Sequence, residues 1–151
     1  MDLSVREAQA SDIPAAAALF DLYRQFYEQP SDLTLAEDFI AQRLASGDSV
    51  ILVAEGAAGL LGFCQLYPSF SSLSLKRVWI LNDIYVAEDA RRQLVADNLM
   101  RTAKKMAKES NAVRLRVSTS SNNQVAQKTY ESMGFREDTE FKNYILPLSD
   151  D

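Results

Sequence analysis

Apolar and polar positions change period several times along this chain, and each change marks an element. Leu3, Val5 and Glu7 alternate as a short strand. ASDIPAAAALFDLYRQFYEQ then takes a helical period, with Ser11 or Asp12 as cap and Pro14 tolerated in the first turn. Leu19, Tyr23 and Phe26 or Tyr27 continue one face, and Pro30 is the stop. A second helix is predicted over TLAEDFIAQRLAS. A Thr34–Glu37 capping box opens it, Leu35, Phe39, Ile40 and Leu44 form its buried side, and Gly47 closes it. Strands follow at Ser49 to Glu55 and at LLGFCQLYPSF, joined by the turn GAAG. Gly62 marks a bulge or a close contact, and Pro68 the second strand's end.

KRVWILNDIYV is apolar on both faces, with Trp79, Leu81, Asp83 and Tyr85 on one and Ile80, Asn82, Ile84 and Val86 on the other. Such a strand is predicted to be central and covered on both sides. Past AEDARRQ, the helix LVADNLMRTAKKMAKE buries Val95, Leu99, Met106 and Ala96, Ala103 and Ala107, leaving Lys104, Lys105 and Lys108 to solvent. AVRLRVST reads as a strand. Ser121 or Asn122 then caps a short helix with Val125, Ala126 and Tyr130 inward, ended at Gly134, and TEFKNYILPL alternates as a final strand. The order βααβββαβαβ, with a small extra strand near Phe135 left open, is an α/β fold: a mixed central sheet flanked by helices on both faces. No repeat or linker divides it, so residues 1–151 read as one domain.

Composition narrows the chemistry. The chain has no histidine, which removes His-based triads, a His base and a His zinc site. Its single cysteine, Cys64, permits no internal disulfide and reads as a buried inert thiol. No metal site is expected, and proton transfer falls to carboxylates, tyrosines, Cys64, a lysine or water. There is neither an apolar run of transmembrane length nor a signal-peptide pattern, so a cytoplasmic setting without a membrane partner is expected. The net charge of -5 is unevenly spread: residues 1–75 carry 3 basic and 10 acidic side chains, residues 76–151 carry 13 and 11. A cationic ligand met by the first half and an anionic one by the second is one consequence. Unequal solvation of the two halves is the other. The acidic balance argues against nucleic acid as a partner.

The strand-to-helix turn Glu88-Asp89-Ala90-Arg91-Arg92 offers unpaired backbone N–H groups and the positive end of a helix, an anion site that two arginines reinforce. Read blandly, the same arginines cap an acidic turn on a solvated face. A second pattern follows the next strand: Asn123-x-x-Ala126-x-x-x-Tyr130-x-x-x-Gly134-Phe135. These two segments, with the element order, resemble the GCN5-related N-acetyltransferase (GNAT) superfamily over essentially the whole chain. The resemblance implies that Arg91, Arg92, Gln93, Leu94, Val95 and Ala96, matching Gln/Arg-x-x-Gly-x-Gly/Ala, hold the pyrophosphate of acetyl-CoA. Leu94 departs from that pattern, standing where the family has its first glycine. A backbone N–H near Tyr85 or Val86 would polarise the thioester, Asn123 would bind on the cofactor side, and Tyr130 would protonate the leaving thiolate.

An attacking amine must lose a proton, and a carboxylate beside it can both bind the ammonium and accept that proton. Asp83 is the best-placed candidate. Asn82, where many relatives carry a glutamate, cannot be a base. Glu28, Asp32 and Glu55 are secondary choices, with Glu28, Asp32 and Asp83 as substrate-binding residues. The expected reaction is acetyl transfer from acetyl-CoA to a primary amine by direct attack. Asp21, Glu28, Asp32, Glu37 and Asp38, with Tyr23, Phe26, Tyr27, Tyr67 and Phe70, point to a small cationic amine or polyamine. A protein or peptide amino group and a non-catalytic binding protein of this fold stay open as alternatives, and the reading leaves room for a homodimer.

Overall fold

Among the described residues, five strands make one mixed sheet in sequence order: β1 (Ser4–Glu7), β2 (Val50–Gly56), β3 (Gly59–Ser71), β4 (Lys76–Val86) and β5 (Arg114–Val117). The structure is a computed structural model that describes residues 3–150. The first four strands pair antiparallel, and β5 joins β4 in parallel with Trp79 opposite Leu115. The chain divides into two compact units, Met1–Ser118 and Thr119–Asp151.

In the first unit, α1 (Ile13–Phe26) and α2 (Leu33–Ser46) pack on one sheet face. Ala16, Ala17, Leu19, Phe20, Ala36 and Ile40 meet Ile51, Val53 and Phe63 there. The intervening strand residues Leu52, Ala54 and Cys64 are also buried. Strand alternation turns them to the opposite face, where α3 (Val95–Glu109) lies against β2, β3 and β4. Both faces are therefore covered, as expected. α3 buries Val95, Leu99, Met100, Ala103 and Ala107, whereas Met106 and Ala96 are only half-buried. Met100, one residue after Leu99, completes the stripe.

Several local expectations change. Asp12 precedes α1, but its side chain does not cap it. It accepts from the Gln9 N–H at 2.7 Å and pairs with Arg6 at 2.7 Å, and those contacts hold its carboxyl below the usual range despite burial. α1 stops at Phe26, short of Pro30, as Glu28 takes a left-handed φ of 64°. α2 begins at Leu33, one residue before the expected Thr34 cap, because the carboxylate of Asp32 accepts from the Leu35 N–H at 3.1 Å. Leu35 and Phe39, expected on the buried side, are 59% and 37% exposed, and Ala36 and Ile40 are the buried pair. Gly47 closes α2 in the left-handed region, as read from the sequence. Pro68 does not end β3: pairing continues to Ser71 opposite Lys76, and one missing donor does not break a ladder held on both sides of it.

In the second unit, α4 (Gln124–Ser132) is capped by Asn123 rather than Ser121 or Asn122, the Asn123 side chain accepting from the Ala126 N–H at 3.1 Å. Phe135 N–H closes back on the Tyr130 carbonyl at 3.0 Å after Gly134, whose φ is 98°. No residue of α4 is buried. Tyr130 and Ala126 are half-buried, and Val125 is 79% exposed, contrary to its expected inward position. Neither the final strand expected at TEFKNYILPL nor a small one near Phe135 is formed. Alternation permits a strand, but backbone pairing makes one.

Candidate active site

β4 carries the one irregularity in its pairing with β3. Leu81 faces Leu66 and Asp83 faces Gln65, so Asn82 is an extra residue on β4, a β-bulge. Leu81 and Asp83 are both buried while Asn82 between them is exposed.

Asp83 is held by neutral amides. Gln65 Nε2 donates to Oδ2 at 2.7 Å and Asn82 Nδ2 to Oδ1 at 3.0 Å, while Ser49 Oγ donates to Gln65 Oε1 at 2.9 Å. Gln65 is fully buried and Asp83 is 5% exposed. Each carboxylate oxygen keeps a second acceptor position for an ammonium or a water. Nearby groups stay neutral: burial and the Asp83 charge push the Tyr67 phenol up to about 12, and the same two causes push the Cys64 thiol up to about 12. Cys64 is thus a buried, inert thiol.

The C-terminal end of α1 reaches the bulge. Tyr23 Oη donates to the Asn82 carbonyl at 3.3 Å. The Tyr23 ring meets Tyr27 edge-on at 5.2 Å, and Phe26 meets Tyr27 at 5.3 Å. Phe26, Tyr27 and the following Glu28 are exposed, forming an aromatic and acidic wall.

At the other end of β4, Gly62 lets two strands and a helix close together. A Cβ there would lie 2.8 Å from the Tyr85 carbonyl and 3.2 Å from Val95 Cγ1. Arg91 Nε donates to the Val86 carbonyl at 3.2 Å, and its guanidinium sits 5.5 Å from the Tyr85 ring centre. Arg92 and Leu94 take left-handed φ values of 70° and 62°. Left-handed Leu94 followed by right-handed Val95 forms a concave nest of N–H groups at the N-terminus of α3, where no side chain caps the helix. These residues fit a pyrophosphate, with Arg91, Arg92 and the helix dipole favouring its charge and Asp97 in the same turn opposing it. The Leu94 side chain is 65% exposed, and the backbone geometry survives where a glycine would adopt it without strain. Leu94→Gly is therefore expected to stabilise the fold by up to about 1 kcal/mol, left-handed strain relieved against added chain entropy. A rise of a few degrees in Tm checks this, and an unchanged or lower Tm contradicts it.

The candidate residues separate into those gathered here and those occupied elsewhere. Asp83, Tyr85, Val86 and the turn Arg91–Ala96 lie along β4 and its exit. Asp32 is committed to the α2 cap and Glu55 to Arg6, at 3.3 Å. Asp21 is buried under three hydrogen bonds. Asn123 caps α4, and with Tyr130 it belongs to the second unit. Gln65 was missed, although a lone amide inside the apolar run GFCQLY signals a buried polar partner. Among the described residues no three His, Cys, Asp or Glu side chains gather to hold a metal, and no helix is long and apolar enough to cross a membrane.

A sequence model of the acetyltransferase (GNAT) family matches residues 16–135. The chain belongs to this family. A relative in Bacillus subtilis (strain 168), the uncharacterized N-acetyltransferase YhfO, is 44% identical over 144 residues, covering 95% of this chain and 97% of its own. A probable acetyltransferase of Haemophilus influenzae is 31% identical over 147 residues, with the same coverage. The crystal structure of a probable acetyltransferase, 59% identical, superposes with a TM-score of 0.93 over 98% of this chain and 99% of that one.

Proposed function

We propose that this GNAT-family acetyltransferase moves an acetyl group from acetyl-CoA to a primary amine by direct attack, without an acyl-enzyme. The observation that carries the reading is the uncapped left-handed nest at Leu94–Val95, flanked by Arg91 and Arg92 and following the bulged strand that holds Asp83. Acetyl-CoA, when bound, supplies the activated acetyl thioester. The N–H groups and arginines of 91–96 would hold its diphosphate, and a backbone N–H near Tyr85 or Val86 would polarise the carbonyl as charge develops on its oxygen. Asp83 accepts the ammonium proton directly or through a water on its free acceptor positions, with Gln65 and Asn82 fixing the carboxylate. Asn123 contacts the cofactor side, and Tyr130 gives a proton to the departing sulfur. Residues 1–151 act as one catalytic domain in this reading, supported by a family match that runs through both units. A cytoplasmic setting, where acetyl-CoA is supplied, belongs to the same proposal and is checked by cell fractionation.

Calorimetric titration is expected to give saturable binding of acetyl-CoA and CoA. No binding of either by folded protein would favour a non-catalytic member of the family instead. Asp83→Asn is expected to slow the chemical step and move its pH dependence upward, since the variant relies on acceptor already deprotonated in solution. An unchanged profile would move the base to Glu28.

For the acceptor we propose a small cationic amine, a polyamine among them. Exposed Glu28 with Phe26 and Tyr27 beside the bulge supports it. The acidic excess of residues 1–75 supports it less than its size implies, because Asp12, Asp21, Asp32, Asp48 and Glu55 are each engaged within the protein. A spermidine-like amine should outcompete an acidic amino acid at low salt and lose part of that advantage as salt is added. Equal turnover of the acidic acceptor would end this part of the proposal, and preference for a lysine-rich peptide would redirect it to a protein amino group.

A further inference from the structure

Asp83 is a buried carboxylate that makes no ion pair among the described residues, and its charge is met by the amides of Gln65 and Asn82. The two amides are not equivalent. Asn82 is exposed, so water can stand in for its donor, whereas Gln65 is fully buried and nothing replaces it. An ionised carboxylate only accepts, which turns Gln65 Nε2 toward Asp83 and leaves Oε1 to find a donor of its own. Ser49 Oγ supplies it at 2.9 Å. The chain of bonds crosses the sheet from the entry of β2 through β3 to β4, with Gln65 in register with Ile51 on one side and with Asp83 on the other. Ser49 is itself held in place. Gly47 closes α2 with a φ of 62°, and Asp48 pairs with Arg43 of α2 at 2.9 Å, so the short connection that carries Ser49 is pinned to the helix end.

We propose that Ser49 is a positioning residue: through the Gln65 amide it keeps the Asp83 carboxylate ionised and aimed at the acceptor ammonium. The ammonium rests on the acetyl-transfer reading above, and the link from Ser49 to Asp83 rests on the hydrogen bonds alone. Ser49 acts at one remove. Its hydroxyl satisfies Oε1, holds the amide in one rotamer and polarises it, which strengthens the N–H bond to the carboxylate. Without that hydroxyl a buried carbonyl oxygen loses its donor, and the Tyr67 phenol, which also interacts with the Gln65 side chain, competes for the amide. The other ionisable groups around Asp83 leave it without a cation. Tyr67 and Cys64 of β3 are neutral, each pushed up to about 12. Tyr23 of α1 turns its hydroxyl to the Asn82 carbonyl, Arg43 and Asp48 at the end of α2 pair with each other, and Tyr85 of β4 lies beside Arg91.

Carbon-13 NMR of the aspartate carboxyls of the full chain, followed against pH, tests this, with the Asp83 signal identified by its loss in Asp83→Asn. Losing a donor to the ionised form favours the neutral one, so each break in the chain of bonds should raise the Asp83 midpoint. The expected rise is about one pH unit in Gln65→Met, which removes the amide and keeps its length, and a few tenths of a unit in Ser49→Ala. Ser49→Thr keeps the hydroxyl and should titrate with the parent. The double variant should match Gln65→Met alone, because Ser49 acts only through the amide. The acidic limb of kcat/KM should rise by the same amounts in each variant. An unmoved midpoint in Ser49→Ala overturns the proposal, and so does a double variant whose shift is the sum of the two single ones. If Gln65→Met does not fold, Ser49→Ala against Ser49→Thr still decides the matter. Midpoints that move while the rate profile does not would support the hold of Ser49 on Asp83 and remove Asp83 as the base. A folded protein that binds no acetyl-CoA would end the acetyl-transfer reading and leave the NMR result standing.

Discussion

Tyr130→Phe is expected to lower turnover about 10-fold or more, the usual minimum worth of a positioned acid, while leaving acetyl-CoA affinity near that of the parent. The substitution removes only the phenolic oxygen. The backbone carbonyl of Tyr130 keeps the Phe135 and Met133 N–H groups, and the ring keeps its partner Phe135 at 5.7 Å. The stability cost is therefore at most about 1 kcal/mol, that of one hydrogen bond. No residue of α4 is buried, which weighs against a purely core role for this tyrosine. Single-turnover measurements with the acceptor saturating separate the chemical step from product release. If mutant and parent react equally fast there, Tyr130 has no part in protonating the leaving group.

The largest expected loss of stability comes from Asp21→Ala. Its carboxylate is 3% exposed and accepts from Ser31 Oγ at 2.7 Å, the Asp32 N–H at 2.8 Å and Gln25 Nε2 at 3.0 Å. One side chain thus ties α1 to the turn that opens α2, and the neighbouring Asp32 is the α2 cap. Removing it strips three donors of their acceptor and loosens that cap, a cost of about 2–3 kcal/mol. For a chain of this size that corresponds to a Tm lower by roughly 5–10 °C. The pH dependence follows from the same contacts. The Ser31 hydroxyl and the Asp32 N–H, opposed by burial, hold the Asp21 carboxyl below its ordinary range. A lowered folded pKa stabilises above the unfolded value of about 3.9 and is lost as pH falls through the folded one. The stability gap between parent and variant should thus be full at neutral pH and shrink below about pH 4. A gap that stayed constant to pH 3 would mean the charge of Asp21 contributes nothing.

The sequence by itself determined the kind and order of nearly every element, the family resemblance, and the place of the strand-to-helix turn 91–96. Those properties come from short-range causes. A helical or strand period needs only a few neighbours, Gly47 ends α2 because glycine takes φ 62° freely, and the turn 91–96 is one contiguous motif. The tertiary structure alone decided how the polar groups were shared out. Whether an acid faces substrate or a structural donor depends on partners far away in the chain: Gln65 reaches Asp83 across 18 positions, and Arg6 reaches Glu55 across 49. The bulge at Asn82 belongs to the same class, because a register shift is a property of two strands and leaves no mark on either alone. So does the missing final strand. TEFKNYILPL has the right alternation, but a strand exists only where another backbone accepts its hydrogen bonds, and no local pattern specifies which backbone that is.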